Sequence, residues 1–198
     1  NEILGFSDNF SVQSRYPDGG SSYSSFAAYL GHRQDLSTRS TLNSGIRFTK
    51  TNLKASWIDQ TRIQLPETDI RLDNSAVTAT IGYVYKPSKN WQFNSVLASG
   101  FRSPNIDDIG RVREKSGHVT VPNIYLKPEF AYSAEVGIQK YFNDKKFRIG
   151  FNAYYTLLEN YIIRDDFSLD GDFLAAGHVL YDGELENIVA NQNRGNAF

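Results

Sequence analysis

The chain has no cysteine, no methionine, only 2 Trp and 6 Pro, and no excess of either charge: 21 Lys and Arg stand against 22 Asp and Glu in 198 residues. The missing cysteines exclude disulfide frameworks, thiol nucleophiles and cysteine-ligated zinc or iron–sulfur centres, while leaving the redox compartment open. A net charge of −1 provides no basic surplus for a phosphate backbone, so nucleic acid is not an expected partner. No apolar run approaches the roughly 18 to 20 residues that a membrane-crossing helix requires, and mean hydropathy is −0.45. A helical membrane protein is therefore excluded. A membrane β-barrel is not, because strands that alternate apolar with polar residues average to a hydrophilic sequence. There is no initiator methionine at Asn1, and Phe198 follows a polar stretch; the expectation is a piece of a longer protein.

Aromatics are abundant instead: 13 Phe and 12 Tyr bring the aromatic share to 14% without matching overall hydrophobicity, as expected of residues working at a boundary. Period-two alternation marks six amphipathic strands. Their apolar sides are Phe26, Ala28 and Leu30; Leu42, Ile46 and Phe48; Val77, Ala79, Ile81, Tyr83 and Tyr85; Trp91, Phe93 and Leu97; Tyr132, Ala134, Val136 and Ile138; and Phe147, Ile149, Phe151, Ala153, Tyr155 and Leu157. The opposite sides carry Asn43, Arg47, Thr49, Thr78, Thr80, Gln92, Asn94, Glu135, Gln139, Arg148 and Asn152, which suit a wet lumen or solvent. Short turns are expected at Leu36 to Thr38, Pro87 to Lys89 and Asn143 to Lys145, and long connections at Lys54 to Leu72, Arg102 to Glu129 and Asp166 to about Gly177. Their alternation puts turns at one end of the sheet and loops at the other, as in an outer-membrane barrel. Tyr83, Tyr85, Trp91, Phe93, Tyr141, Phe142 and Phe147 cluster beside the short turns, where an interfacial girdle belongs. The same spacing also suits the core of a soluble β-sandwich binding carbohydrate through exposed aromatics, although sandwich strands run about five or six residues. Asn105 to Lys115, with Gly110 and dense charge, reads as a local turn within a loop rather than a helix.

Two motifs in order narrow the reading. Gly100-Phe101-Arg102-Ser103-Pro104-Asn105-Ile106-Asp107-Asp108-Ile109 leaves one alternating strand, and Val121-Pro122-Asn123-Ile124-Tyr125-Leu126-Lys127-Pro128-Glu129 opens the next. Arg15-Tyr16-Pro17-Asp18-Gly19-Gly20-Ser21 precedes the first strand, and Asn193-Arg194-Gly195-Asn196-Ala197 closes the chain. This order resembles the C-terminal half of TonB-dependent outer-membrane receptors. The resemblance implies an all-β, antiparallel up-and-down meander, with residues 1–198 supplying an arc of about seven or eight strands from a 22-stranded barrel whose plug is absent. It implies active uptake of a scarce nutrient, an iron–siderophore or haem, at the outer membrane of a Gram-negative bacterium, with outer-membrane lipid as a partner and TonB engaged through the plug. An outer-membrane barrel enzyme is a third reading.

Candidate ligand contacts all lie in the connection from Phe101 to Glu129: Arg102, Asp107, Asp108, Arg111, His118 and Tyr125. Arg102 and Glu129 are expected to pair across its mouth, and Pro104 and Pro128 to fix its corners. Asp107 and Asp108 lack the glycine-spaced loop of a calcium site, so no metal is assigned. Some haem-acquiring members of the resembling family carry a His between the same two motifs, the position of His118, and neutral imidazole is a common axial ligand. His32 and His178 have weaker claims. No nucleophile elbow, zinc helix, phosphate loop or dinucleotide fingerprint is present, so neither an enzyme nor a cofactor is expected.

Overall fold

A computed structural model describes residues 14–60, 63, 65, 67–109, 111–144, 146–168, 177–181 and 183–198. Six long strands run β1 (Ser21–Ser37), β2 (Ser40–Ser56), β3 (Asp69–Ser88), β4 (Trp91–Arg102), β7 (Glu129–Phe142) and β8 (Phe147–Glu159), with α1 (Ile106–Ile109), β5 (Arg113–Glu114) and β6 (His118–Thr120) between β4 and β7. Beyond β8 come β9 (Ile162–Asp166), β10 (His178–Tyr181), β11 (Glu184–Asn193) and β12 (Asn196–Ala197). The main antiparallel sheet has the order β1-β2-β3-β4-β7-β8-β12, the expected meander, and a five-stranded second sheet is built from the connections.

Register brings the expected apolar sides onto one face. Leu30 pairs with Ile46 and Ile46 with Ala79, Ile81 with Leu97 and Leu97 with Ala134, and Phe93 lies between Tyr85 and Ile138. A one-residue slip at any ladder would have turned one strand's apolar set over. Among the described residues no second layer covers this face: Phe93 is 39% exposed, Ile81 46% and Val136 58%. The sandwich arrangement does not hold.

That outward phase is apolar only up to a line. Phe48 pairs with Val77, but the next outward pair is Lys50 with Ser75, followed by Asn52 with Asp73 and Lys54 with Arg71. Over the same stretch the inward phase turns apolar, and Leu53, Ala55 and Ile70 are buried against Ile109 and Leu126 from the β4–β7 connection. The expectation of a uniformly polar second face is therefore corrected at the loop end. There the strands outrun the apolar belt, and their inner side packs beneath a folded cap.

The cap is what the long connections become. A second cluster of Trp57, Ile63, Leu65, Val112, Val119, Val121, Ile188 and Ala190 forms its core. Within the second sheet β11 pairs parallel with β6 and antiparallel with both β9 and β10. After Asn160, at φ 55°, β8 continues as β9, while β11 runs on into β12; Asn160 N donates to Gly195 O and Arg194 N to Tyr161 O. β12 then pairs with the top of β8 as the start of a seventh wall strand.

Boundaries shift where bulges intervene. Register shifts between Asp35 and Ser37 and between Tyr85 and Ser88 move the first two turns to Thr38–Arg39 and Lys89–Asn90. The third turn starts at Asn143 as expected, with Asn143 and Asp144 at positive φ; Lys145 lies outside the described residues. The first long connection is shorter than expected, because β2 reaches Ser56 and β3 begins at Asp69. Most of the third, 169–176, is likewise outside the described residues. Within Asn105 to Lys115, the expected turn is one helical turn, α1, followed by β5.

The β3–β4 ladder ends at Thr80–Ala98. Above it the Ser99 hydroxyl takes over, accepting from Ala79 N at 2.9 Å and donating to Ala79 O at 3.4 Å. Higher still, Ser103 Oγ accepts from Thr51 Oγ1 at 2.9 Å and Asn74 Nδ2 at 3.1 Å, a side-chain bridge to both β2 and β3.

Candidate ligand-binding site at the loop end

The Ser-Pro corner sends the chain from β4 into α1. Asn105 caps that turn: its Oδ1 accepts from the N–H groups of Asp107 and Asp108, and Asp108 Oδ2 accepts in return from Asn105 N at 3.0 Å. This reciprocal arrangement satisfies donors that a helix start leaves orphaned. It also aims Asp108 at Arg102, whose Nη2 donates to both carboxylate oxygens at 2.8 Å. The other arm, Nη1, donates to Glu129 Oε2 at 2.5 Å, and Glu129 Oε1 accepts from Ile162 N at 2.6 Å. Arg102 and Glu129 thus close the mouth of the connection, and the same guanidinium fork binds α1 to the rim.

Asp107 and Arg111 form a second pair, one helical turn apart, with Arg111 Nη2 2.6 Å from Asp107 Oδ1. Tyr16 Oη donates to the same oxygen at 2.9 Å. These two hydrogen bonds, Arg111 first, hold the Asp107 carboxyl below its ordinary range. Nearby, Asp18 accepts from the N–H groups of Ile58 and Asp59, both at 2.9 Å, which lowers its carboxyl too and ties the leading segment to the β2–β3 connection.

Of the six candidate contacts, then, Arg102, Asp107, Asp108 and Arg111 come together as two ion-paired groups. His118 and Tyr125 stand apart from them. Ser116 at φ 56° and Gly117 at φ 78° form the two-residue turn of the β5–β6 hairpin, a geometry that matches the twist of its strands, and His118 follows immediately. The exposed His118 ring places Nδ1 3.0 Å from Ser116 O. With that nitrogen donating, Nε2 keeps its lone pair. Tyr125 is 71% exposed and lines a cleft of about 470 Å³ with Glu67, Asn123, Asp166, Phe167 and Gln192. Among the described residues, no group of three His, Asp or Glu side chains is arranged to hold a metal ion.

Asparagines tie the segment beside this cleft to β11. Asn123 Oδ1 accepts from Tyr125 N at 2.9 Å while Nδ2 donates to Asn191 O at 2.8 Å, and Asn191 Nδ2 donates to Asp108 O. Asn193 accepts from Lys127 N, and donates to Lys127 O and Asn160 O. The closing motif therefore grips the Leu-Lys-Pro-Glu motif directly. Nothing local in the sequence joins these two stretches; the one signal is the spacing of Asn191 and Asn193, two donors on one side of a strand.

Against known proteins, the sequence pattern of the family described as TonB dependent receptor-like, beta-barrel matches residues 3–197. The chain belongs to this family. No curated protein sequence matches it significantly. Among solved structures, this receptor barrel is similar to the Serratia marcescens hemophore receptor HasR, a double mutant in complex with its hemophore HasA and heme, at 15% identity and TM-score 0.70 over 88% of the chain. It is also similar to the ferric-catecholate import receptor Fiu of E. coli K12 in a closed form, at 17% identity and TM-score 0.55 over 84%. At such identities the likeness is one of fold. The chain spans 30% of the HasR length and 24% of that of Fiu.

Proposed function

We propose that this chain forms part of the wall and the outer cap of an outer-membrane receptor that imports an iron–siderophore or haem, driven by TonB through a plug elsewhere in the protein. The observation that carries the reading is the uncovered apolar face, continuous in register across six strands, which only acyl chains would cover at acceptable cost. From Trp91 to Phe101 along β4, ten steps of about 3.4 Å at the usual barrel tilt give a belt about 25 Å tall, the height of an outer-membrane apolar band. The polar opposite face then lines the interior. This is binding and passage rather than catalysis.

In this reading Arg102, Asp107, Asp108 and Arg111 hold the cap in shape, and His118 and Tyr125 meet the ligand. Haem is supported by the free Nε2 of His118, and by the cargo named for HasR; a catecholate complex is supported by the cargo class named for Fiu. Growth of an iron-starved strain carrying the full-length receptor separates them. His118→Ala is expected to abolish growth on haem while leaving growth on ferric catecholates intact. Equal growth of wild type and variant on haem removes His118 from the mechanism, and recovery of the full-length protein in a soluble fraction removes the membrane reading.

A further inference from the structure

The short-turn end differs in charge from the rest of the molecule. Segments 33–41, 84–91 and 139–149 hold eight Lys or Arg and two Asp, in a chain whose net charge is −1. One of those Asp is already engaged: Asp35 accepts from Thr41 Oγ1 at 2.7 Å and lies 3.9 Å from Arg33. The turns are joined to one another, Lys86 N donating to Arg39 O and Tyr141 N to Asn90 O. The cations among the described residues of these turns therefore share one rim.

Lys140 marks where that rim meets the apolar face. It pairs with Trp91 on one side and Ile149 on the other, in the outward phase of Val136 and Ile138. On that phase between Leu42 and Phe48, Val77 and Tyr85, Trp91 and Phe101, Phe130 and Phe142, and Phe147 and Leu157, it is the one Lys, Arg, Asp or Glu. Its Nζ lies 4.8 Å from the centre of the Trp91 ring and 5.0 Å from that of Phe142. Rings hold the ammonium at the depth of the girdle but supply no full negative charge. Lys89 and Lys146, exposed in the two neighbouring turns, add cations at the same rim.

We infer that Lys140, Trp91 and Phe142, backed by Lys89 and Lys146, form a site for the headgroup of an anionic phospholipid in the leaflet beside the short turns. The phosphodiester oxygens accept from the Lys140 ammonium, and the acyl chains lie along Ile138, Val136 and Phe151. The inference rests on the membrane reading above. It is specific in chemistry, requiring a phosphate anion joined to an acyl tail, and in side, being confined to the turn end.

The test uses the full-length receptor in bilayer discs of phosphatidylcholine with and without phosphatidylglycerol, the retained lipid being counted by native mass spectrometry. Wild type is expected to enrich phosphatidylglycerol. Lys140→Gln should lower the enrichment roughly fivefold, as expected for one cation near a membrane surface, and Lys140→Arg should restore much of it. Adding Lys89→Gln and Lys146→Gln should lower it further, whereas Lys50→Gln at the opposite end should leave it unchanged. Equal enrichment in wild type and the triple variant overturns the site, as does displacement of the lipid by soluble glycerophosphate, which would mean that the tail contributes nothing. A receptor that inserts and ignores lipid charge defeats this inference alone; one that never enters the bilayer defeats the membrane reading with it.

Discussion

Arg102 and Glu129, 27 positions apart in the chain, face each other at the rim with Arg102 Nη1 2.5 Å from Glu129 Oε2, and each binds a different further element: Asp108 of α1 on one side, the Ile162 amide of β9 on the other. One guanidinium thus connects the β4 exit, the helical turn and the strand that leaves β8.

Arg102→Ala strands two carboxylates whose side chains are mostly covered, at 12% and 19% exposure. Because Arg102 itself is half exposed, the loss is held to about 1 to 2 kcal/mol, local to the cap. Hydrogen exchange on the full-length receptor should show faster exchange at Ile162 and Asn105, with wall strands unaffected. Lys at this position should not rescue, since it cannot fork to both partners. Unchanged exchange at Ile162 would show that the pair carries no load.

Asp107 supplies a pH dependence. Its carboxyl is lowered in the folded state, so the stabilisation is fully present above the ordinary value of 3.8 and is lost as pH falls through the lower folded value. Protection of the Val112 amide, which donates to Arg15 O beside Tyr16, is expected to decline over that acid range in wild type. In Asp107→Asn it should be weaker at neutral pH and flat across the same range. Parallel acid profiles in both proteins would assign the loss to other groups.

Leu97→Arg and Thr80→Arg place the same charge near mid-strand on opposite faces. If the apolar face meets lipid, the first should cost about 2 to 4 kcal/mol and the second little, measured by reversible unfolding of the full-length receptor from bilayers. Equal costs would contradict the assignment of faces.

Gly137 lies in register between Asn94 and Asn152 on the inward side. A Cβ there would come within 2.5 Å of Asn94 Nδ2 and closer still to Asn152 Oδ1. Those atoms are the far ends of two flexible side chains that can turn away, so Gly137→Ala should cost the wall no more than about 1 kcal/mol, read as a slightly lowered thermal midpoint in detergent. Asn94→Ala in the same protein should recover part of the loss; failure to do so would place the strain elsewhere.

The wall was legible because each strand carries its own face label: Val77, Ala79 and Ile81 alternate with Thr78 and Thr80 whatever their neighbours do. Turn positions slipped by one or two residues because the bulges after Asp35 and Tyr85 leave no compositional trace. The cap was not legible. Its strands are as short as two residues, and its parallel pairing joins His118 to Asn187 across most of the intervening fold. Alternation needs several residues to register, and Ile188-Val189-Ala190, buried throughout, offers none. Ser116-Gly117 was the one local clue, a hairpin dipeptide standing directly before His118. In the candidate site the Arg102–Glu129 pair was legible from the two motifs, but the contact between Asp107 and Tyr16 was not, since nothing local tells Asp107 that Tyr16, 91 positions away, is its neighbour.

Ser99 joins β4 to β3 through its side chain rather than its backbone. Because its hydroxyl replaces main-chain bonding at Ala79, the upper β3–β4 seam is laced, among the described residues, by the side chains of Ser99, Ser103 and Asn74. A cylinder strained from above parts along its sparsest stitching. Stitches made of hydroxyl and amide side chains can part and reclose there without breaking a backbone rung.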